Sequence, residues 1–347
     1  MNQPVTHPMN NRFHLQAYVD QLYAASPREW AFVAPNQDIA EAWQIEFRTH
    51  LSQVLGIAHR PQPAIPHVEL LSSVDRGMYL EEKYALNTGE LEAPMYLLIP
   101  KTPPPYKAVL AFHGHAPGVG YILGHYADPV TEQAAKALDE NFAQRLVEDG
   151  YLVCAVEQQG FGERITGLVT NPENRSCRHL AFDYLLQGHT LIGERVREAM
   201  IAIDYLQTRP DVMPGVLGCT GHSGGGMTTL YLSALDERIT VSVPVAYFCS
   251  FEASILRVQH CECNYVPGIL EAAEMGDLAA LITPRPLRIV SGENDPIFGI
   301  DGVREQYQIV ERAYHLFDAV DQSSLAVHPG VHQYHYGLTR DWLSRWL

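Results

Sequence analysis

A Gly-x-Ser-x-Gly turn between an apolar strand and a helix is the feature that most constrains this chain. The β-branched and apolar run from Gly215 to Thr220 leads into Gly221-His222-Ser223-Gly224-Gly225, and the helix-forming stretch Met227 to Leu235 follows. A strand-to-helix turn this tight strains its central residue and needs neighbours without a Cβ. We therefore expect Ser223 to stand clear of the sheet as a candidate nucleophile. A glycine-rich loop that merely turns is the alternative interpretation.

Charge and composition exclude several classes of protein. The 347 residues include 40 acidic and 24 basic side chains, and the net charge of −16 argues against nucleic-acid partners and against a polybasic membrane surface. The six cysteines are scattered, which is typical of free thiols in a reducing compartment. No secretory leader and no apolar stretch of about 18 residues is apparent, so we expect a cytoplasmic protein. The sequence leaves the formation of a homo-oligomer open.

The order of helical and strand patterns predicts the fold class. Apolar residues recur at helical spacing from Arg12 to Gly56, and a proline-rich connection runs from Arg60 to Pro66. Three strand patterns that suit antiparallel pairing come next. Strands and helices then alternate to the end of the chain, with one helix expected near residues 131–148. This alternation predicts an α/β fold with a mainly parallel twisted sheet of about eight strands and helices on both faces.

The same patterns predict the domain organisation. Residues 1–64 are expected to form a helical extension packed on the core, and residues 65–347 the α/β domain. Two long insertions, at about 161–187 and 250–281, interrupt the alternation at carboxyl ends of strands, where open α/β sheets bind ligands. We expect the insertions to wall a site, although surface loops without a role would give the same pattern.

A serine hydroxyl needs a histidine to accept its proton and a carboxylate to orient that histidine. Asp295 lies in a turn after the apolar strand that begins at Leu287, and His332 follows a glycine turn after the next strand. The chain order serine, acid, histidine predicts the arrangement Ser223, Asp295, His332. Other acids and histidines compete for these roles, namely Glu293 and Asp301 for the acid and His328 and His335 for the base.

The charge that develops on an attacked carbonyl needs backbone N–H donors. Candidates are the N–H groups of Gly224, directly after the serine, and of His115, in the loop after the strand that ends at Phe112. His113 and His115 could instead bind a metal, but two histidines alone are a weak metal signal. The cluster from His260 to Cys263 lacks the second ligand pair of a zinc site. The sequence therefore predicts no metal and no cofactor, and favours a pocket wall or simple packing for the cysteine cluster.

Together these motifs give a family resemblance. The Ser223 turn, the His113-Gly114-His115 loop, the Asp295 turn and Gly330-Val331-His332 resemble the α/β-hydrolase superfamily, and in particular its bacterial dienelactone-hydrolase-like and acetyl-xylan-esterase-like branch with a helical N-terminal extension. The resemblance covers roughly residues 65–347. It implies a cofactor-free serine hydrolase that cleaves small carboxylic esters, such as short-chain acyl esters or acetylated sugars. An amide or peptide hydrolase of the same fold and a non-catalytic binding protein are the alternatives.

Overall fold

The computed structural model describes residues 13–60, 66–167 and 176–347. Its strands are β1 (Val68–Asp75), β2 (Tyr79–Asn87), β3 (Glu92–Pro100), β4 (Tyr106–Phe112), β5 (Leu152–Val156), β6 (Val212–His222), β7 (Val241–Val245), β8 (Leu287–Gly292) and β9 (Ser323–His328). Its α-helices are α1 (Leu15–Ala24), α2 (Gln37–Val54), α3 (Pro129–Ala137), α4 (Phe142–Glu148), α5 (Cys177–Leu186), α6 (Leu191–Thr208), α7 (Gly224–Leu235), α8 (Ile269–Ala272), α9 (Met275–Ala280), α10 (Ile300–Leu316) and α11 (Tyr336–Trp346).

The strands form one sheet in the order β1-β2-β3-β5-β4-β6-β7-β8-β9. β1, β2, β3 and β5 pair antiparallel with one another in sequence along the sheet. From β5 to β9 every pairing is parallel. The predicted α/β fold with a mainly parallel sheet is confirmed, and the described sheet has nine strands rather than about eight.

Helices cover both faces of the sheet because side chains of a strand alternate between faces. In β4, Leu110 packs in the core that contains Ile201 of α6 and Leu230 of α7. Its neighbour Val109 packs in the opposite core, which contains residues of α4 and α11 such as Trp342. In the described parts of the chain, no helix has both the length and the apolar character needed to cross a membrane.

The helix predicted near residues 131–148 is two helices in the structure, α3 and α4. The break contains Asp139, whose φ of 55° lies in the left-handed region. The Asp139 carboxylate accepts a hydrogen bond from the N–H of Tyr336, 2.9 Å away, and also pairs with Arg145. Asp139 thus caps the start of α11, and this tertiary contact stabilises a backbone conformation that ends the helix.

The second N-terminal helix is part of the main core. Phe47 and Leu51 of α2 are fully buried, and the Gln44 side-chain amide donates to the carbonyl oxygens of Ala280 and Thr283 at 3.3 and 2.7 Å. The predicted boundary between residues 64 and 65 and most of the proline-rich connection lie outside the described residues. The division into an extension and a domain therefore stays a prediction.

We predict that Phe47→Ala lowers the free energy of unfolding by about 3–5 kcal/mol, because it leaves a cavity in a shared core. Urea unfolding followed by circular dichroism measures the change. Ile45→Ala on the same helix is the matched control: Ile45 is 66% exposed, so its truncation should change the free energy by less than about 0.5 kcal/mol. A separate early transition in the Phe47 variant, with the rest of the protein unaffected, would contradict a shared core.

Candidate active site

The turn after β6 holds Ser223 in a strained conformation. Ser223 has φ 53° and ψ −114°, a region that residues with a side chain rarely adopt. A Cβ at Gly221 would lie 2.4 Å from the carbonyl oxygen of Gly225, and a Cβ at Gly225 would lie 1.9 Å from that of Phe112. The glycines on either side of Ser223 are therefore required because the backbone of β4, β6 and α7 meets there without room for a side chain.

Hydrogen bonds join Ser223, His332 and Asp295 into a chain. The Ser223 hydroxyl lies 2.9 Å from Nε2 of His332, and Nδ1 of His332 lies 2.8 Å from a carboxylate oxygen of Asp295. These distances suit O–H donation to Nε2 and N–H donation from Nδ1 to the carboxylate. The structure thus brings the three sequence-predicted residues together, from the ends of β6, β8 and β9.

The loops that carry the acid and the histidine are bonded to each other. The backbone N–H of Asn294 donates to the carbonyl of Gly330 at 3.1 Å, and its side-chain amide donates to that of Pro329 at 2.9 Å. Since Asn294 directly precedes Asp295, these bonds fix the loop after β8 against the loop after β9. These two hydrogen bonds hold the Asp295 carboxylate next to the His332 imidazole.

Asp295 lies in surroundings that favour its ionised form. Burial raises the pKa of its carboxyl group, but the hydrogen bond and the charge of His332 oppose burial, together with the N–H groups of Ile297 and Phe298 at 2.8 and 3.0 Å. The pKa of Asp295 consequently lies below its ordinary value. The ring of Phe298 stacks on His332 with centroids 5.9 Å apart. The carboxylate and this aromatic contact both restrain the imidazole.

The competing acids and histidines make other contacts. Glu293 and Asp301 are exposed and lie 3.6 and 3.7 Å from Arg304 in weak ion pairs. The ring of His328 accepts a hydrogen bond from the Gly330 N–H at 3.1 Å, within its own turn. The ring of His335 accepts from a backbone N–H in the first turn of α11. None of these contacts involves Ser223, so the geometry favours the pair that the sequence predicts.

His115 and Gly224 lie side by side. Two residues that donate N–H groups to one oxyanion must be close to each other in this way. Gly224 is the first residue of α7, and His115 follows β4, the neighbour of β6 in the sheet. A Cβ at Gly224 would lie 2.7 Å from Cε1 and 2.8 Å from Nδ1 of the His115 ring, so this imidazole covers the backbone next to the serine. Whether their N–H groups bind an oxyanion stays a prediction.

The serine opens into a cleft of about 840 Å³. Residues from both insertions line it, together with residues near the serine: His115, Glu140, Cys177, Arg178, His222, Tyr247, Gln259, His260, Cys261, Glu262, Asn264, Phe298 and His332. The part of the first insertion between residues 168 and 175 lies outside the described residues. The described parts of both insertions contribute to the wall of the cleft.

The sequence did not point to two features of this cleft. Nδ1 of His222, the variable residue before the serine, lies 2.7 Å from a carboxylate oxygen of Glu140, in the segment between α3 and α4. The ligand atoms of His115, Cys177, Cys261 and Cys263 lie within 4.8 Å of one another, so these residues could hold a metal ion. No local pattern links residues so far apart in the chain, although the closely spaced Cys261 and Cys263 were a partial signal.

A known protein is similar to this chain in sequence. No family model matches the chain. It is similar to the candidate hydrolase YtaP of Bacillus subtilis (strain 168), with 29% identity over 274 residues that cover 76% of this chain and 87% of that protein.

Solved structures share the architecture. A candidate acetyl xylan esterase from Bacteroides fragilis NCTC 9343 superposes with a TM-score of 0.80 at 16% identity, covering 100% of this chain and 97% of that one. A glucuronoyl esterase from Solibacter usitatus gives a TM-score of 0.64 at 14% identity, covering 88% and 92%. The resemblance predicted from the motifs is confirmed: this chain has the α/β-hydrolase fold.

Proposed function

We propose that this protein is a serine hydrolase that cleaves carboxylic esters. The observation that carries the proposal is the hydrogen-bonded series Asp295–His332–Ser223, which ends on a strained serine that lines the cleft. A neutral serine is a weak nucleophile, and a histidine at 2.9 Å oriented by a carboxylate is the arrangement that activates it.

In the first step, the Ser223 oxygen attacks the ester carbonyl while its proton passes to Nε2 of His332. The carboxylate of Asp295 holds the imidazole with Nδ1 protonated and stabilises the positive charge that His332 gains. The depressed pKa of Asp295 keeps this group ionised near neutral pH. The tetrahedral intermediate then collapses as His332 returns the proton to the leaving alcohol.

The N–H groups of Gly224 and His115 are the proposed donors to the oxygen that becomes negative. Fixed backbone donors of this kind stabilise the transition state more than the ground state. Water then attacks the acyl-serine, again with His332 as the base, and releases the carboxylic acid. The cycle regenerates the serine and needs no cofactor.

The cleft supports a small, polar ester as substrate, and we propose short-chain acyl esters or acetylated carbohydrates. Arg178, Gln259 and Glu262 line its rim with groups that can hydrogen-bond to sugar hydroxyls. The acetyl xylan esterase and glucuronoyl esterase names of structural neighbours point to carbohydrate esters as well.

We predict that Ser223→Ala lowers kcat for p-nitrophenyl acetate by about 10⁴- to 10⁶-fold, because the nucleophile and its base act as a unit. Ser344→Ala, at an exposed serine on α11, should keep wild-type turnover. Circular dichroism should show the same fold for both variants. A Ser223 variant that kept its turnover would show that another residue is the nucleophile.

We predict that Asp295→Asn lowers kcat by roughly 10³- to 10⁴-fold, because an amide cannot hold the useful imidazole tautomer. Glu293→Gln is the control, because it removes the competing acid two residues earlier. This variant should leave kcat within about twofold, since Glu293 is exposed and its one ion pair within the described residues is with Arg304. If the two variants exchanged these outcomes, Glu293 would be the acid.

We predict that kcat/KM is higher for acetyl esters, including acetylated xylo-oligosaccharides, than for long-chain acyl esters or peptide anilides. An amide is harder to cleave than an ester because its nitrogen is the poorer leaving group. Arg178, Gln259 and Glu262 of the cleft can hydrogen-bond to the hydroxyls of a carbohydrate alcohol, but they gain no contact of this kind from a longer acyl chain. Measuring kcat/KM across such a panel tests this. Faster turnover of peptide anilides than of any ester would instead indicate a peptidase.

A further inference from the structure

Four metal-ligand side chains from three separate segments meet beside the cleft. His115 comes from the loop after β4, Cys177 from the start of α5 in the first insertion, and Cys261 and Cys263 from the second insertion. Their ligand atoms all lie within 4.8 Å of one another, and Nε2 of His115 is 3.3 Å from the sulfur of Cys263. A tetrahedral zinc ion with Zn–S bonds of about 2.3 Å places its sulfur ligands roughly 3.8 Å apart. A small contraction brings this cluster to that geometry.

A buried arginine beside the cluster is an independent sign of negative charge there. Arg195 is 2% exposed, and no carboxylate among the described residues lies within ion-pairing distance of its guanidinium. Its Nη2 donates to the sulfur of Cys177 at 3.2 Å and to the carbonyl oxygen of Gln159 at 2.6 Å. Its Nη1 has no hydrogen-bond partner in the described structure.

A buried charge without a counter-charge is costly, so the position of Arg195 needs an anion. Three cysteine thiolates and a neutral histidine around Zn²⁺ carry a net charge of −1. The guanidinium of Arg195 carries +1 and neutralises that charge. Metal-free thiols in the same place would leave Arg195 without a partner of opposite charge.

We propose that His115, Cys177, Cys261 and Cys263 bind one zinc ion. Sulfur and imidazole ligands in a tetrahedral set are the donors that zinc prefers, and four protein ligands leave no open position for substrate or water. The ion is therefore structural and does not take part in bond cleavage. On binding, the three thiols release their protons to solvent. In the structure all six cysteines are free thiols, so no disulfide competes for these sulfurs.

The ion would join the two insertions to the loop that carries His115. Nε2 of that ring faces the sulfurs, while Nδ1 and Cε1 cover Gly224. A metal at Nε2 therefore fixes the ring, and with it the backbone of residue 115 next to the nucleophile. This consequence rests on the proposed function, in which the His115 N–H binds the oxyanion, and it makes His115 and its ligand partners positioning residues.

The test is elemental analysis of the full-length protein, purified under reducing conditions with zinc supplied. We expect one zinc ion per chain in the wild type and in Ser223→Ala, which lacks activity for a separate reason. The double variant Cys261→Ser with Cys263→Ser should lose this zinc, whereas Cys249→Ser, at a cysteine outside the cluster, should retain it. Because metal content is measured without turnover, its outcome is separate from that of the proposed function.

Cobalt substitution provides a second measurement that does not depend on any variant folding. Wild-type protein loaded with Co²⁺ in place of zinc should show the visible absorption of tetrahedral cobalt with thiolate ligands. Wild-type protein that takes up no zinc, that lacks these bands, or whose mass shows a disulfide among residues 177, 261 and 263 would overturn the proposal.

The positioning role has its own test. The double variant should lower kcat about tenfold or more. An unchanged kcat together with loss of zinc would contradict the positioning role.

Discussion

The close approach of the α7 backbone to the end of β4 is the constraint on which the site depends. The carbonyl oxygen of Phe112 occupies the space that a Cβ of residue 225 would need, so the turn between β6 and α7 closes only around glycine. The strained backbone of Ser223 costs on the order of 1–3 kcal/mol. Burial of α7, whose residues from Leu230 to Ala234 are all buried, offsets that cost. The stability of the central helix thus maintains the position of the serine.

Parallel pairing then brings the remaining groups to the same edge of the sheet. β6, β7, β8 and β9 are consecutive neighbours, so their carboxyl ends form one row, and the loops after three of them carry Ser223, Asp295 and His332. β4 borders β6 on the other side and delivers His115. The two insertions close the cleft around this row. The proposed zinc ion would connect those insertions to the His115 loop, so that one coordination centre would stabilise the wall of the cleft and the backbone beside the nucleophile.

Much of this arrangement could be predicted from the sequence because its signals are local. The turn glycines around Ser223 and the turns before Asp295 and His332 each follow an apolar strand, and topology alone brings such strand ends together. Contacts between distant segments could not be predicted. Asp139 interrupts a helical pattern to cap α11, 197 residues later, and Cys177 joins Cys261 and Cys263 only after both insertions have folded. These contacts depend on tertiary packing, which no periodicity in the sequence predicts.

Reaction with diisopropyl fluorophosphate, followed by intact-mass and peptide mass spectrometry, tests the central claim most directly. An activated serine displaces fluoride and forms a stable bond from its oxygen to phosphorus, whereas an ordinary serine does not react. We expect one adduct per chain, located on Ser223, and its loss in His332→Ala. An unmodified wild-type protein, or an adduct on another residue, would contradict the assignment of Ser223 as the activated nucleophile.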